Sequence, residues 1–556
     1  MSTVNNELPS ITGTYNLQDY QAINESFSWN NAAEKLSFWK TGKVNIAYET
    51  IDRHVDEGFG ERVALQYVNG DKREVLTFAE VKEKTDHYAR VLKENGVKKG
   101  DRVFVLLPKT PACYISILAI IKIGGIAGPL FEAFMKEAIT DRMNDCSATM
   151  LITDKYLINR VSNKDIPSLR SILFTEDLED SFYNTPNIEA TIEWVHLEDG
   201  FIIHYTSGST GKPKGILHAH RAMIHHYESG RWVLDLKDDD VYWCTSHPGW
   251  VTGSVYGLFA PWLNRATVVI QGGRFKAENW YEIIEELKVT TWYSAPTAFR
   301  MLLSQGDLLK KYDLSSLRHV LSVGEPLNPE VIHWAWNQLG IRIHDTWWMT
   351  ETGGHLIVNL PSEPIKPGSM GRPFPGIKVG ILDESGKELP RGSVGQLAIR
   401  TPWPGLMKEI WGSKDKFNSY FKYKGWYVSG DMAFQDDEDY VFFHSRSDDM
   451  INSAGERIGP FEVESKLIEH PAVAEAGVIG KQDALRGELV KAFIVLRTGY
   501  KESQELLEEI RVFVRNNLSA HAAPREIEVL DKLPKTKISG KILRRELKNK
   551  EVYRIS

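Results

Sequence analysis

Between residues 205 and 215 the chain reads Tyr-Thr-Ser-Gly-Ser-Thr-Gly-Lys-Pro-Lys-Gly. The hydroxyls of Thr206, Ser207, Ser209 and Thr210 can donate hydrogen bonds, and so can the free backbone amides of such a loop. Gly208, Gly211 and Gly215 let the backbone come close to a ligand and take positive φ. Lys212 and Lys214 add positive charge. Together these make a flexible anion cradle suited to a polyphosphate. Pro213 follows Lys212 where a Walker A loop needs Ser or Thr, so that motif is excluded. A Ser/Gly surface linker shares the composition. It lacks an apolar entry such as Phe201-Ile202-Ile203-His204-Tyr205, which reads as a buried strand.

Other stretches carry groups that fit the same chemistry. Gly324-Glu325-Pro326 is a tight turn at the end of an apolar run, where exposed backbone groups can read a base edge. Asp345-Thr346-Trp347-Trp348-Met349-Thr350-Glu351-Thr352-Gly353 offers one carboxylate, Glu351, beside hydroxyls and indoles. A hard cation bound with phosphates needs only one or two carboxylates. Asp431, in Ser429-Gly430-Asp431, has two oxygens that fit a vicinal diol. Pro534-Lys535-Thr536-Lys537-Ile538-Ser539-Gly540-Lys541-Ile542 is basic and suits anionic substrates, though it also reads as a plain basic tail. His218, His220, His225 and His226 crowd the segment after the loop, but no cysteine or paired carboxylate completes a zinc set there.

The loop, with the motifs that follow it in order, resembles the adenylate-forming superfamily of acyl-CoA synthetases, peptide-synthetase adenylation domains and luciferases. The resemblance covers essentially everything beyond about residue 40. It implies that Thr206 through Lys212 hold ATP phosphates and that Gly324, Glu325 and Pro326 lie against adenine. Thr350 falls near the phosphates, and Glu351 holds the Mg²⁺ bound to ATP. Asp345, Thr346, Trp347, Trp348 and Met349 belong to the same nucleotide-binding motif. Asp431 takes the ribose hydroxyls, and Arg446 and Arg457 join the nucleotide grip. Lys541 reaches the reacting oxygens during adenylation; one extra residue precedes Ser539-Gly540-Lys541, which leaves Lys537 as the alternate.

Trp348 selects the branch. It falls where the family lines the floor of the acyl pocket, and an indole there fills the pocket. Overfilling such a site costs roughly 1–3 kcal/mol, so longer acids are excluded by volume. Trp250, Val251, Thr252 and Val323 match other pocket positions in the acetyl-CoA synthetase branch. Choice among small acids is less sharp, because one methylene is worth only roughly 1–3 kcal/mol. The implied reaction is ATP-dependent activation of acetate to acetyl-AMP and pyrophosphate, then transfer to CoA. Propionate or another short-chain acid is the nearest alternative. An adenylation module serving a carrier protein is the alternative of a different class, with no room for a carrier domain after Lys541. Ala454 and Gly455 match the pantetheine tunnel, Arg515 a CoA-phosphate contact, and His470 a residue near a structural Mg²⁺. Asp448 matches a hinge. An acetyltransferase and deacetylase acting on Lys541 are partners the resemblance suggests.

These residues need a scaffold of matching size. At 556 residues, more than one core is expected. Alternating strand and helix patterns predict an α/β class of layered subdomains through about residue 360. Examples are Arg102 to Leu107, Thr149 to Thr153, Thr290 to Ser294, Val320 to Val323 and Arg342 to Thr346. Thr77-Phe78-Ala79-Glu80 is a capping box that opens a helix carrying Val81, Tyr88 and Leu92 inward. A small β-subdomain is expected from about 365 to 445. A compact, mobile α+β domain of residues 448–556 follows the 1–447 domain. Its helix Glu502 to Leu518 is expected to bury Leu506, Ile510 and Phe513. Residues 1–45 read as an irregular lead-in.

A net charge of −7 argues against a nucleic-acid partner. The three cysteines, Cys113, Cys146 and Cys244, form neither a metal spacing nor a disulfide framework, which fits a reducing cytoplasm. No signal peptide is legible at the start of the chain. The apolar run from Tyr114 to Phe131 is broken by Lys122 and glycines, so no membrane partner is expected.

Overall fold

The computed structural model describes residues 7–11, 13–184, 188–207, 213–453, 456–483, 487–535 and 542–555. Among these, two large sheets and one small sheet organise the chain.

The first sheet has a parallel centre. Val63–Asn69, Thr267–Gln271, Val241–Cys244, Thr291–Ser294, His319–Ser322 and Ile343–Trp347 lie side by side in that order. Their register aligns Ser294 with Ser322 and Ser322 with Asp345, so their C-terminal ends share one rim. Open α/β sheets bind ligands at that rim. Beyond Ile343–Trp347 the sheet turns antiparallel through Ile357–Val358 and Ser369–Pro373. It continues into Val441–Arg446, Trp426–Gln435, Gly395–Arg400 and Val379–Leu382, the expected β-subdomain.

The second sheet is centred on Arg102–Leu106, whose Val103, Phe104, Val105 and Leu106 are all fully buried. A strand apolar on both faces needs cover on both faces, as in a parallel sheet between helices. Ile126–Leu130 and Gly200–Ser207 continue it on one side. Gly200–Ser207 returns antiparallel as Pro213–Ala219, with Thr206 opposite Lys214 and Ser207 opposite Pro213. These paired strands flank the predicted anion loop, whose residues 208–212 lie outside the described residues, and Glu409–Ile410 pairs with the outer strand.

Helices join the two sheets. Pro111–Lys122 is buried along nearly its whole length and packs with Phe78–Glu94 and with strands of both sheets in one core. The Thr77 capping box is formed, and Val81, Tyr88 and Leu92 point inward as expected. Lys122 ends the apolar helix with its ammonium fully buried, 2.7 Å from Asp52 and 2.6 Å from Asp86.

Several expectations need correction. The lead-in is not irregular throughout: Tyr20–Ser26, Trp29–Ala33 and Ser37–Thr41 are short helices. Long-range bonds fix this segment, such as Tyr20 Oη to Pro373 O at 2.9 Å and Asn16 N to Asp235 Oδ1 at 2.7 Å. Helix Gln504–Asn517 buries Leu507, Ile510 and Val514, while Leu506 and Phe513 flank that face. Both triplets fit a 3.6-residue period, so periodicity alone could not choose between them. The small C-terminal sheet, built on the hairpin Val473–Asp483 and Gly487–Leu496, has its own hydrophobic cluster. Among the described residues, no helix is long and apolar enough to cross a membrane.

Candidate functional site

The shared rim of the first sheet, with the strands beside it, gathers Val323 to Pro326, Asp345 to Glu351, Asp431 and Arg446. Val323 and Gly324 follow His319–Ser322, and Gly324 takes φ of 93°. The Glu325 carboxylate is used within the protein. Oε1 accepts from Thr297 Oγ1 at 2.7 Å, and Oε2 accepts from Arg300 Nη2 at 2.8 Å. Arg300 also reaches Asn328 Oδ1 at 3.2 Å. The turn is thus braced from below, while Gly324 is exposed and Glu325 and Pro326 are half-buried at the surface.

Strand Ile343–Trp347 supplies the central motif. Asp345 is buried, accepts from Ser322 Oγ, and is raised by burial to about 7. Its carboxyl is turned into the sheet. Thr346 likewise spends its hydroxyl on Ser322 O at 2.7 Å. The two indoles that follow make separate bonds. Trp347 Nε1 donates to Asp431 Oδ2 at 2.9 Å, and Trp348 Nε1 donates to Tyr293 Oη at 3.2 Å. Asp431 also accepts from Arg446 Nη1 at 2.8 Å, and Arg446 Nε lies 3.7 Å from Asp448 Oδ1. Asp431 is therefore oriented from two sides. A carboxylate offers about four lone-pair sites, so these bonds do not by themselves exhaust it.

The turn after Trp348 is held by an unusual set of partners. The backbone oxygens of Thr350, Gly353 and His355 accept from Nε2 of His218, His226 and His225, each at 2.8 Å. Thr352 O accepts from Trp403 Nε1 at 2.9 Å and Glu351 O from Met407 N at 2.9 Å. Burial lowers His218 and His225 to about 4 and His226 to about 3, so each is neutral. A carbonyl can only accept, so each ring carries its proton on Nε2. The histidines left open by the sequence are thus scaffolding for this turn. His220 belongs to the core instead, its Nδ1 accepting from Ile46 N at 3.1 Å. Gly353 has φ of 67°, and a Cβ there would sit 2.0 Å from Gly405 O, so only glycine fits.

Glu351 projects from this turn and is only 6% exposed. Its Oε1 accepts from Tyr420 Oη at 2.8 Å. Tyr420 in turn accepts from Lys214 Nζ at 3.2 Å and stacks on Tyr427, centroids 5.4 Å apart. Lys214 lies on the outer strand of the phosphate hairpin, opposite Thr206. Tyr420 therefore ties the hairpin to the Glu351 carboxylate. Glu351 Oε2 has no protein partner among the described residues, which leaves one hard oxygen for a cation. No cluster of three or more His, Cys, Asp or Glu that could hold a metal occurs among the described residues. One carboxylate plus substrate phosphate oxygens is the donor set that fits.

The predicted acyl residues divide. Val323 and Trp348 belong to one cluster, with Val251 packed against it. Trp250 lies elsewhere, its ring 5.6 Å from Phe131 and 6.1 Å from Phe134. Thr252 sits in the short helix Val251–Ser254, which runs into the π-helical turn Val255–Phe259. That turn places Tyr256 edge-on to Trp348, centroids 5.0 Å apart.

Among the described residues the C-terminal unit touches the rest of the chain at several points, including His444 beside Glu462 at 3.7 Å and two bonds near the rim. Asn328 Nδ2 donates to Ser465 Oγ at 3.1 Å, and Arg497 Nη2 pairs with Glu330 Oε1 at 3.1 Å. Arg515 is exposed in the last turn of its helix and is not brought to the rim by any described contact. His470 accepts from Ala472 N at 3.2 Å through Nδ1 and faces Glu509 at 3.5 Å through Nε2. Both of its ring nitrogens are thus engaged. Gly208, Ser209, Thr210, Gly211, Lys212, Ala454, Gly455 and Lys541 lie outside the described residues, as do the side chains of Ser207 and Arg457.

The hairpin of the second sheet is thus tied through Lys214 and Tyr420 to Glu351, which follows the rim strand whose Trp347 bonds Asp431. The chain belongs to the AMP-binding enzyme family: that family's sequence model matches residues 52–411, and the AMP-binding enzyme C-terminal domain matches residues 462–541. It is 54% identical to the acetyl-coenzyme A synthetase of Bacillus subtilis over 97% of this chain and 96% of that one. An acyl-CoA synthetase crystal structure from Brucella canis superposes with a TM-score of 0.75 at 35% identity, covering 97% of this chain and all of the other. The anthranilate CoA ligase AuaEII, solved with anthranoyl-AMP, superposes with a TM-score of 0.84 at 30% identity, covering 92% and 98%.

Proposed function

We propose that this protein is an acetate–CoA ligase that forms acetyl-AMP and pyrophosphate from acetate and ATP, then acetyl-CoA and AMP from acetyl-AMP and CoA. The observation that carries the substrate reading is Trp348. Its indole is 8% exposed and wedged among Tyr256, Tyr293 and His355, in the cluster that also holds Val323. A pocket floored in this way has room for a very short acid. The close similarity to a curated acetyl-coenzyme A synthetase supports the same reading.

In the first step a substrate carboxylate oxygen attacks the α-phosphorus of ATP, and the bond to the pyrophosphate oxygen breaks. No protein nucleophile is needed, so the chain contributes position and charge. Thr206 through Lys212 hold the phosphates. Gly324, Glu325 and Pro326 present backbone to adenine. Asp431, oriented by Trp347 and Arg446, binds the ribose diol. Glu351, oriented by Tyr420, would hold Mg²⁺ from the protein side. Mg²⁺ supplies neutralisation of phosphate charge when bound with ATP. Lys541 contacts the reacting oxygens in this step only.

In the second step the CoA thiolate attacks the acyl carbon and AMP leaves. Ala454 and Gly455 border the thiol's route, and Arg515 serves a CoA phosphate. Lys541 and Gly455 act in different steps, so we place the boundary between residues 1–447 and 448–556 at a hinge near Asp448. The exposed Asp448 side chain beside Arg446 suits that role. A cytoplasmic location fits three buried free thiols. Reversible acetylation of Lys541 by a protein acetyltransferase would remove the charge that adenylation needs.

Product analysis tests the reaction: acetate, ATP and CoA should yield equal amounts of acetyl-CoA, AMP and pyrophosphate. ADP as the product would overturn it. Lys541→Ala is expected to slow adenylation by about a hundredfold or more. Thioester formation from supplied acetyl-AMP should survive. Equal loss of both steps would contradict the division between Lys541 and Gly455.

A further inference from the structure

The hydroxyl of Tyr293 is a node at which three side chains meet. It lies 2.7 Å from Thr346 Oγ1, 2.9 Å from His355 Nε2 and 3.2 Å from Trp348 Nε1. Counting protons fixes every direction. Thr346 has one hydroxyl proton and gives it to Ser322 O at 2.7 Å. Tyr293 must then donate to Thr346, since Thr346 can only accept from it. With its single proton used, Tyr293 accepts from both His355 Nε2–H and Trp348 Nε1–H. His355 Nδ1 is then unprotonated, and it has no partner among the described residues. Burial keeps His355 neutral, in agreement with one proton on Nε2.

The surrounding rings touch the indole edge-on and do not stack on it. Tyr256 and His355 stack, centroids 3.8 Å apart and 11° from parallel. Trp348 meets both edge-on, at 85° to Tyr256 and 88° to His355. Tyr256 is itself pinned, accepting from His355 N at 2.7 Å and lying 2.9 Å from Ser229 Oγ. A tryptophan χ2 is broad by nature. The one polar atom of the ring is satisfied here only while it points at Tyr293. A buried donor without a partner is costly, so the bond selects the orientation.

We propose that Tyr293 is a specificity-determining positioning residue: by accepting the Trp348 indole N–H it holds the ring across the acyl pocket and so sets the length of acid the enzyme admits. This rests on Trp348 being the pocket floor. Without the Tyr293 hydroxyl the indole can swing, and the pocket deepens in a fraction of molecules.

The test compares kcat/KM for acetate and butyrate in the full-length enzyme with ATP, Mg²⁺ and CoA. The variants are Y293F, W348F, the double variant and W348G. Y293F is expected to reduce the acetate-over-butyrate preference about tenfold. In the W348F background there is no N–H to position, so Y293F should leave the ratio unchanged. It should still lower thermal stability there, because Thr346 and His355 lose their partner in either background. An unchanged ratio in Y293F alone, or an equal shift in both backgrounds, overturns the inference. W348G separates the two ideas. If W348G itself fails to admit butyrate, the pocket-floor reading fails. If W348G admits butyrate and Y293F does not shift the ratio, only the role of Tyr293 fails. Should Y293F not fold, the indole proton of Trp348 reports the same bond in the native enzyme, assigned by its loss in W348F. Slow exchange with solvent is expected, and fast exchange overturns the proposal.

Discussion

Glu351→Gln is expected to lower ATP–pyrophosphate exchange about 10²- to 10³-fold, the range seen when one preorganised electrostatic group is lost from an active site. The amide is nearly the same shape and can still accept the Tyr420 hydroxyl, so the fold should be undisturbed. What is lost is the negative charge offered to Mg²⁺. Of the Glu351 oxygens, Oε1 is taken by Tyr420, and no cluster of three or more His, Cys, Asp or Glu that could hold a metal occurs among the described residues. Tyr420→Phe gives the graded version. The charge remains, but the 2.8 Å bond that orients it is gone, and Lys214 loses its 3.2 Å partner. Exchange should fall about tenfold at limiting Mg²⁺ and recover as Mg²⁺ is raised. A loss that no concentration of Mg²⁺ restores would point to a general structural effect. Initial exchange rates against free Mg²⁺ at fixed ATP distinguish these outcomes.

The second large effect concerns stability. Lys122→Met is expected to cost about 3–5 kcal/mol, because removing one partner leaves buried charge uncompensated. Lys122 is the only ammonium that reaches both Asp52 and Asp86 within 3 Å among the described residues. Lys82 lies 4.0 Å from Asp52 and 3.0 Å from Asp86. Asp52 Oδ2 has no hydrogen-bond partner among the described residues, and Lys82 reaches Asp86 but stays 4.0 Å from Asp52. Burial already raises Asp52 above its ordinary value, with Lys122 the largest opposing influence. Removing Lys122 raises it further. A carboxyl raised in the folded state binds more protons folded than unfolded, so its contribution to stability falls as pH rises. The deficit of the variant should therefore be largest near pH 8 and shrink towards pH 5. Thermal unfolding midpoints of both proteins at the two pH values measure this. A deficit that does not change with pH would mean that lost packing, rather than unpaired carboxylates, is the cause.

The scaffold was legible in the sequence where local rules decide. The Thr77 capping box, the buried strand before the phosphate hairpin and the parallel strands of the rim all follow from period, caps and breakers. The lead-in helices were not legible, because long-range partners such as Pro373 and Asp235 hold that segment. Residue type alone singles out Glu351 and Asp431 as candidates, and the structure brings both to the 347–351 segment. The site was not legible where the partner is backbone: His218, His225 and His226 bond carbonyl oxygens, which no residue pattern announces. Tyr420 was missed for a related reason. It sits in an aromatic stretch, Phe417 to Phe421, whose place beside Glu351 depends on tertiary contacts made around the Glu409–Ile410 strand. Tyr293 reads as an ordinary strand aromatic until the Trp348 indole is seen to end on its hydroxyl. Lys122 looked only like an interruption of an apolar run, and its two carboxylates lie far away in sequence.

The most direct measurement is acid-dependent ATP–pyrophosphate exchange with acetate, propionate, butyrate and octanoate, followed by addition of CoA to detect thioester. Exchange should be highest with acetate and fall steeply beyond propionate, with acetyl-CoA appearing once CoA is present. Equal or faster exchange with octanoate would contradict Trp348 as the floor of the acyl pocket, and with it the acetate reading.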